Sequence, residues 1–163
     1  MRILILGATG MLGYSLFSNL REFNGLDVFG TVRNIKGKEA FFEGALSSLI
    51  FDVDVTKTAE IERAITSAKP DVVINCIGLI KQHNVSKQHV DAIEVNALLP
   101  HQIARLCDQH SAKLIHFSTD CVFSGEEGGY TEKSFKNGKG FYAQSKALGE
   151  LENTKDLTFR TSI

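Results

Sequence analysis

Cysteine is scarce in this chain, and its few cysteines form no recognisable metal or disulfide pattern. Cys76, Cys107 and Cys121 are the three cysteines among 163 residues. An odd number cannot be paired completely within one chain, and the intervals between them match no metal-binding motif. This pattern predicts reduced thiols in a cytoplasmic protein.

The chain also lacks an excess of charge of either sign. Its formal net charge is −1 at pH 7, which gives no electrostatic basis for binding nucleic acid or an acidic membrane surface. Long apolar runs are missing as well, so the sequence predicts no membrane-spanning segment. The apolar start of MRILILGATG is short and soon reaches glycine, which is not the pattern of a signal peptide.

The chain has enough apolar residues for one domain with a buried core. Hydrophobic residues make up 43% of the sequence, close to the globular average. Apolar runs alternate with stretches of helical periodicity. The predicted strands are residues 2–6, 27–32, 48–55, 71–78, 113–119 and 157–163, and the predicted helices are residues 11–22, 57–68, 90–110 and 141–152. Pro100 either kinks the third of these helices or marks a break in it.

The alternation of strands and helices predicts the fold class. Several of the strands are nearly unbroken apolar runs, which is typical of parallel strands covered on both faces. We therefore expect an α/β fold with a doubly wound parallel sheet, Rossmann-like, in three αβα layers. Ligands of such sheets bind at the carboxyl ends of the strands, so residues that follow strands are the first candidates for a site.

A glycine-rich loop lies between the first strand and the first helix. Its glycines are spaced G-x-x-G-x-x-G, rather than in the G-x-G-x-x-G pattern of the dinucleotide fingerprint. The helix that follows would offer free N–H groups and the positive end of its dipole to phosphates. We predict a dinucleotide site here, with a plain strand-to-helix turn as the alternative. The candidate contact residues are Gly7, Thr9, Gly10, Met11, Leu12 and Gly13.

The end of the second strand bears on which dinucleotide binds. NAD-binding proteins carry an acidic residue there for the ribose 2′-hydroxyl, whereas this chain reads GTVRN and has no carboxylate. Arg33 is a suitable partner for the 2′-phosphate of NADP, because a guanidinium pairs well with phosphate. The sequence therefore predicts NADP(H) as the preferred cofactor and NAD(H) as the second option; a solvated arginine is the alternative interpretation.

A tyrosine and a lysine lie about one helical turn apart at the start of the last predicted helix. Tyr142 and Lys146 should therefore point in the same direction. Reduction of a ketone by hydride requires a proton, and a tyrosine can supply it when a nearby ammonium lowers its pKa from about 10. Thr119, at the end of the fifth strand, offers a hydroxyl to the substrate carbonyl. The alternative is a half-buried aromatic residue beside a surface lysine.

Taken together, these motifs resemble the short-chain dehydrogenase/reductase superfamily in its extended branch. The matching segments are GATGMLG, DVDV, NCIG, STDCVFSG and YAQSKALGE. The order STDCVFSG, YTE and Y-x-x-x-K-x-x-x-E is most similar to the dTDP-4-dehydrorhamnose reductase family and its sugar-nucleotide-binding relatives. The chain departs from that family at Cys121, where tyrosine is typical, and at NCIGLIKQ, where NCAA is common.

The resemblance implies roles for the matching residues. Tyr142 would be the general acid, Lys146 would bind the nicotinamide ribose and tune Tyr142, and Asn96 would support the lysine. Thr119 matches the family's Ser/Thr position. The implied cofactor-binding residues beyond the glycine loop and Arg33 are Asp54 and Val55, with Asp52 as the alternative register, then Cys76, Ile77 and Gly78, preceded by Asn75, and finally Tyr142 and Lys146.

The resemblance also implies a function. It is the NADP(H)-dependent reduction of a 4-keto nucleotide sugar in the synthesis of cell-surface polysaccharide precursors, by an enzyme that would form a homodimer. Two alternatives stay open: an epimerase or dehydratase that keeps NAD bound, and a non-catalytic, cofactor-binding regulatory subunit. Residues 1–163 would be the dinucleotide-binding domain, with the C-terminal substrate-binding part missing.

Three further features would lie near the substrate. Asp120 and Lys81 are candidates to face it, with a capping carboxylate and a solvated lysine as the alternatives. The GEEGGY segment, residues 125–130, would be a mobile flap at the substrate mouth, with a plain solvated turn as the alternative.

Overall fold

The computed structural model describes residues 1–79 and 85–162, and these residues form a parallel sheet covered by helices. The six strands pair in the order β3-β2-β1-β4-β5-β6, and each neighbouring pair is parallel. The strands are β1 Arg2–Leu6, β2 Asp27–Thr31, β3 Leu49–Ile50, β4 Val72–Asn75, β5 Lys113–Thr119 and β6 Leu157–Thr161. The predicted doubly wound, Rossmann-like α/β fold is confirmed.

The helices connect these strands in the described part of the chain. They are α1 Met11–Leu20, α2 Thr58–Ala68, α3 Val85–Ala92, α4 Leu99–Gln109 and α5 Phe141–Leu148. Between α3 and α4 the backbone forms a π-helical segment, Ile93–Leu98. None of the helices in the described ranges is both long and apolar enough to cross a membrane.

The core lies on both faces of the sheet, and β1 contributes to both. Leu4 and Leu6 pack on one side with residues of α2 and α4, whereas Ile3 and Ile5 pack on the other side with Phe17 of α1. Successive strand residues point to opposite faces, so a strand buried on both faces needs apolar residues at every position. This is the physical reason for the unbroken RILIL run.

The second and last strands end one or two residues before their predicted ends, and the third and fourth are shorter by more than that. The third covers only Leu49–Ile50 instead of residues 48–55, because Asp52 adopts a left-handed backbone conformation with φ of 56°, which strands exclude. The fourth ends at Asn75 instead of residue 78, because side chains take over the backbone hydrogen bonds of the residues that follow.

The long helix predicted over residues 90–110 is continuous but not uniformly α-helical. The π-helical segment lies directly before α4, and Pro100 occupies the first turn of α4. Proline has no N–H to donate to the preceding turn, and a local change of helical hydrogen bonding accommodates it. The helix predicted over residues 141–152 ends at Leu148, where Gly149 follows as the C-cap.

Candidate active site

Three segments that carry candidate site residues leave the sheet at the carboxyl ends of the central strands β1, β4 and β5. Leu6 of β1 lies beside Asn75 of β4, and Asn75 lies beside His116 of β5. The sheet order reverses between β1 and β4, and this is the switch point where doubly wound sheets bind ligands. The glycine loop, the NCIG segment and the STD segment therefore emerge next to one another.

The glycine loop makes a tight turn that requires glycine at two positions. Gly7 has a φ of +85°, and its N–H donates to Thr31 Oγ1 at 3.1 Å. A Cβ added at Gly13 would lie 2.2 Å from the Gly7 carbonyl oxygen, so a side chain there would push α1 away from the loop. The two glycines thereby bring the start of α1 close to the end of β1.

The N-terminus of α1 is free to hold an anion. Gly10 is the N-cap and contributes no side-chain hydrogen bond, and the first turn contains no acidic residue. Met11 is exposed and Leu12 is half-buried. The first N–H groups of a helix lack intrahelical partners and carry the positive end of the dipole, so phosphate groups fit this position.

A basic side chain that the sequence motifs did not indicate contacts this loop. Arg33 follows β2 and is exposed. Lys38, which was missed, donates from Nζ to the carbonyl of Thr9 at 2.7 Å. Lys38 therefore places a positive charge on the glycine loop itself. The signal for it was the basic composition of the RNIKGK segment, in which lysines recur after Arg33.

Asp54 and Val55 lie at the turn after β3, and Asp52 precedes them in an exposed position. Asp54 Oδ1 accepts hydrogen bonds from the N–H and the hydroxyl of Thr56. These bonds, helped by the charges of Lys57 and Arg33, hold the pKa of Asp54 below its ordinary value. Arg33 is thus close enough to Asp54 for the two charges to interact.

A small cavity of about 100 Å³ adjoins Val55. Its other walls come from the π-helical segment and the start of α4, including Val95, Leu98 and Leu99, with Glu94 and Gln102 as polar neighbours. It lies where the resemblance implies the adenine.

The segment after β4 is held in place by two asparagines. Asn75 Oδ1 accepts from the N–H of Ile77 at 3.1 Å. Asn96, on the π-helical segment, accepts from the N–H of Leu79 at 2.8 Å and donates to its carbonyl at 3.0 Å. Both asparagine side chains are fully buried, whereas Leu79 is exposed. Cys76, Ile77 and Gly78 are thereby presented at the sheet edge.

Lys146 lies next to Asn96 and Gly78. A Cβ built on Gly78 would lie 3.6 Å from Asn96 Oδ1 and 3.7 Å from Lys146 Nζ. Asn96 Nδ2 also donates to the hydroxyl of Ser145 at 3.2 Å, and Ser145 directly precedes Lys146. The asparagine therefore ties the NCIG segment to helix α5, a link that spacing alone does not reveal.

Lys146 is almost completely buried, with 5% of its surface exposed. Its Nζ donates to the carbonyl of Phe117 at 2.8 Å. Burial lowers its pKa to about 8, and the negative charge of Glu150 acts in the opposite direction. At pH 7 the side chain is still mostly a cation and a hydrogen-bond donor.

The pKa of Tyr142 is raised, which is opposite to the predicted direction. Burial is the main cause, the charges of Cys121 and Asp120 add to it, and the Thr119 side chain opposes it as a hydrogen-bond partner of the phenol. The lysine ammonium points to the Phe117 carbonyl and is not among these causes. Tyr142 therefore remains protonated at neutral pH, which is the form that donates a proton.

Thr119 ends β5 and starts the turn that follows. Its hydroxyl oxygen accepts from the N–H of Cys121 at 3.2 Å, which caps the short 3₁₀ turn Asp120–Val122. Thr119 thus fills the capping role considered for Asp120, and Asp120 itself is exposed. Lys81, the other candidate to face substrate, lies outside the described residues.

The described residues contain neither a metal-binding cluster nor a disulfide. No group of three or more His, Cys, Asp or Glu side chains in residues 1–79 and 85–162 is arranged to hold a metal ion. The three thiols are free. Burial raises the pKa of both Cys76 and Cys107 to about 12, so these two are not nucleophilic thiolates at neutral pH.

The parallel strand order and the glycine loop at its switch point define a Rossmann-like α/β protein. The chain belongs to the RmlD substrate binding domain family, whose model matches residues 1–163. The predicted place in the short-chain dehydrogenase/reductase superfamily, close to the dTDP-4-dehydrorhamnose reductases, is thereby confirmed.

Two curated relatives show the range of proteins that this chain is similar to. A dTDP-4-dehydrorhamnose reductase of Mycobacterium tuberculosis is 34% identical over 154 residues, covering 91% of this chain and 44% of the relative. The methionine adenosyltransferase 2 subunit beta of Mus musculus is 28% identical over 155 residues, covering 93% and 43%. The chain therefore spans less than half the length of either relative.

A solved structure gives the same result for the fold. A dTDP-4-dehydrorhamnose reductase from Bacillus anthracis, determined in complex with NADP, superimposes with a TM-score of 0.76 at 26% identity. The match covers 98% of this chain and 52% of that one.

Proposed function

We propose that this protein is an NADP(H)-dependent reductase of a 4-keto nucleotide sugar, and that residues 1–163 form its dinucleotide-binding domain. The single observation that carries the proposal is the convergence of Lys146, Asn96 and Gly78 at the edge of the sheet where the glycine loop emerges. The names of the Mycobacterium tuberculosis and Bacillus anthracis relatives support the substrate class.

The residues present fit a dinucleotide. The uncapped N-terminus of α1 would hold the pyrophosphate, and the close approach at Gly13 leaves that end of the helix open to it. Asp54 and Val55 would lie beside the adenine. The contact residues proposed for the cofactor are Gly7, Thr9, Gly10, Met11, Leu12, Gly13, Arg33, Asp54, Val55, Cys76, Ile77, Gly78, Tyr142 and Lys146.

The phosphate on the adenosine ribose would select between the two cofactors. Arg33 is exposed, and the end of β2 carries no carboxylate to repel a 2′-phosphate. Lys38 adds a second positive charge beside Thr9. A guanidinium at the end of β2 favours NADP(H) over NAD(H), and the NADP in the Bacillus anthracis structure supports the same choice.

The chemistry at the substrate requires a proton donor and a stable cation. The cofactor, when bound, supplies the hydride to the ketone carbon. Tyr142 would then donate its phenolic proton to the carbonyl oxygen, and its raised pKa keeps that proton in place until the oxygen becomes basic. Thr119 would orient the same oxygen, and Lys146 would donate hydrogen bonds to the nicotinamide ribose. Asn96 would hold the backbone on which the ribose rests.

A regulatory subunit is the second candidate, because one relative of this chain is named as the beta subunit of another enzyme. The Thr119, Tyr142 and Lys146 set favours the enzyme, since a subunit that only binds cofactor has no use for a proton donor. An epimerase or dehydratase on the same scaffold would regenerate its cofactor and would show no net consumption of NADPH.

The experiment that tests the proposal is NADPH oxidation by the purified full-length protein with a panel of 4-keto nucleotide sugars, starting with dTDP-4-dehydrorhamnose. We expect turnover with at least one sugar, and the Y142F variant should lose roughly 10² to 10⁴-fold in kcat while still binding NADPH. Cofactor binding without NADPH oxidation by any sugar would overturn the reductase and leave two alternatives, the regulatory subunit and the epimerase or dehydratase.

A further inference from the structure

A buried carboxylate lies just beyond the helix that carries Tyr142 and Lys146. Glu150 follows α5 and is only 6% exposed. Arg160 of β6 holds it in a two-pronged ion pair, Nε to Oε1 at 2.8 Å and Nη2 to Oε2 at 2.8 Å. Burial favours the neutral acid, but the Arg160 hydrogen bonds and the nearby positive charges bring the pKa of Glu150 below its ordinary value. The group is therefore a buried, paired anion at neutral pH.

Arg160 also contacts the connecting loop, which we define as residues 123–140 between β5 and α5. Its guanidinium lies 4.9 Å from the centre of the Phe123 ring, and Nη1 donates to the carbonyl of Glu132 at 3.3 Å. The Phe123 ring in turn stacks on Tyr130, with ring centres 4.4 Å apart. One guanidinium therefore contacts the carboxylate of Glu150, an aromatic ring at the loop's start and a carbonyl at its middle.

A second side chain of the connecting loop points to the same carboxylate. Lys136 Nζ lies 3.4 Å from Glu150 Oε2 and 2.5 Å from Glu152 Oε1. The loop is also closed at its base, because the N–H of Ser124 donates to Asn137 Oδ1 at 2.8 Å. The connecting loop is thus folded on itself and attached to Glu150 through both Arg160 and Lys136.

Stability alone does not account for a charge pair in this position. Replacing a buried ion pair with well-packed apolar residues is often neutral or stabilising, so a gain in free energy does not explain why the pair is there. The geometry that the pair sets is the position of the connecting loop relative to α5, because the loop leads from the turn after β5 to Gly140, the N-cap of α5, two residues before Tyr142.

We propose that Glu150 and Arg160 are positioning residues that hold the connecting loop closed over the Tyr142 side of the site. Neither touches the reacting atoms; they act by fixing where the loop lies when the nucleotide sugar binds. This inference rests on the proposed reductase for its effect on turnover. Its effect on the loop is independent of any activity.

Two variants of the full-length protein test it. E150Q keeps the size of the side chain and removes its charge, and R160K keeps the charge and removes the fork. The matched control is D108N, which removes the Lys155–Asp108 ion pair of α4 and leaves the connecting loop untouched. Hydrogen exchange of residues 123–140 is measured for all variants, together with kcat and KM for the sugar and for NADPH.

We expect faster exchange across residues 123–140 in E150Q and R160K, with β1 and β5 unchanged, because the loop would open locally. The kcat/KM for the sugar should fall roughly tenfold or more, since misplacing a group by about 1 Å costs on the order of 10²-fold. In R160K, which leaves the charge of Glu150 in place, the KM for NADPH should stay at the wild-type value, and D108N should match wild type throughout.

A purely structural role predicts a different pattern. Hydrogen exchange of the loop at the wild-type rate in folded R160K would overturn the proposal. Equal losses of kcat/KM for the sugar and for NADPH in that variant would overturn it as well. If E150Q does not fold, R160K decides the question. If no sugar is turned over by the wild type, the reductase proposal fails by itself, and the exchange measurement alone decides whether Glu150 and Arg160 hold the loop.

Discussion

Asn96 pairs with Leu79 through both ends of its carboxamide, as a neighbouring strand would. Its Oδ1 accepts the Leu79 N–H and its Nδ2 donates to the Leu79 carbonyl. These bonds satisfy the backbone just after β4 has ended, where no strand partner continues. The π-helical segment Ile93–Leu98 contains this side chain, and π turns in α-helices are frequent at functional sites.

The N96L variant should therefore bind NADPH about tenfold more weakly. A leucine of similar size removes both hydrogen bonds to the Leu79 backbone, and each such bond contributes about 0.5–1.5 kcal/mol. Cofactor titration by fluorescence gives the Kd. The control is N19L on α1, where the asparagine bonds only to Ser15 of its own helix. Equal affinities for N96L and wild type would show that the NCIG segment does not contact the cofactor.

Replacing Arg33 should change the choice of cofactor. R33D puts a carboxylate where the 2′-phosphate is proposed to lie, so the ratio of NADPH to NADH efficiency should fall by roughly 10-fold or more, from a lost charge-assisted pair. K38A should weaken binding of both cofactors, because Lys38 bonds to the loop at Thr9. R105D, an exposed charge reversal on α4, is the control. An unchanged ratio in R33D would place the 2′-phosphate elsewhere.

The activity of the reductase should decline as the pH rises through about 8. Lys146 is a cation below its pKa of about 8 and loses the charge above it, so the hydrogen bond to the ribose weakens on the alkaline side. Glu150 on its own chain segment raises this pKa, and His116 of β5 faces the lysine as a neutral ring.

The same pH profile distinguishes Lys146 from other groups. E150Q removes the negative charge that supports the cation, so the alkaline limb should move to lower pH. If the alkaline limb does not move in E150Q, a residue other than Lys146 causes it. Profiles of kcat/KM over pH 6 to pH 10 provide the measurement.

Stability should fall in mild acid because of His116. Burial, with the charge of Lys146, lowers its pKa to about 3, so the folded ring stays neutral when the unfolded chain takes up a proton near its ordinary pKa of 6.5. Above that pH, the contribution of His116 to the free energy of unfolding is fully present. It should decrease by about 1.4 kcal/mol per pH unit as the pH falls from there toward 3.

The H116Q variant should lose this dependence. Glutamine does not titrate and keeps a polar partner for Asn75, to which His116 Nδ1 is bonded at 3.1 Å. Urea unfolding at pH 7 and pH 5 measures the difference, with H110Q as the control because His110 lies at the surface end of α4. Identical acid slopes for H116Q and wild type would contradict the assignment.

Some elements could be read from the sequence with accurate bounds, and others could not. The strand predicted over residues 113–119 is β5 as observed, because Leu114, Ile115 and Phe117 supply apolar side chains to both faces of the sheet. The DVDV segment has an equally strand-like composition, yet Asp52 takes a left-handed conformation there. Its carbonyl accepts a hydrogen bond from Arg63 of α2, a contact that local propensity cannot anticipate.

The direction of the Tyr142 pKa also required the structure. Spacing places Lys146 one turn from the phenol, but spacing does not say where the ammonium points or how deeply each group is buried. In the fold, the ammonium bonds to Phe117 and burial dominates at the phenol. The connection of Glu150 to Arg160 is likewise invisible in sequence, because it joins α5 to a strand at the edge of the sheet.

The sequence by itself determined the α/β class, the strand order along the chain and the three short motifs that carry the chemistry. These depend on local periodicity and on the conformational demands of residues such as Gly7, which neighbours in sequence largely decide. Only the tertiary structure decided which groups touch and which are charged, namely the Asn96–Leu79 pairing, the Lys38 contact and the shifted pKa values. Hydrogen bonds and burial between segments distant in sequence set those properties, and they exist only once the sheet has formed.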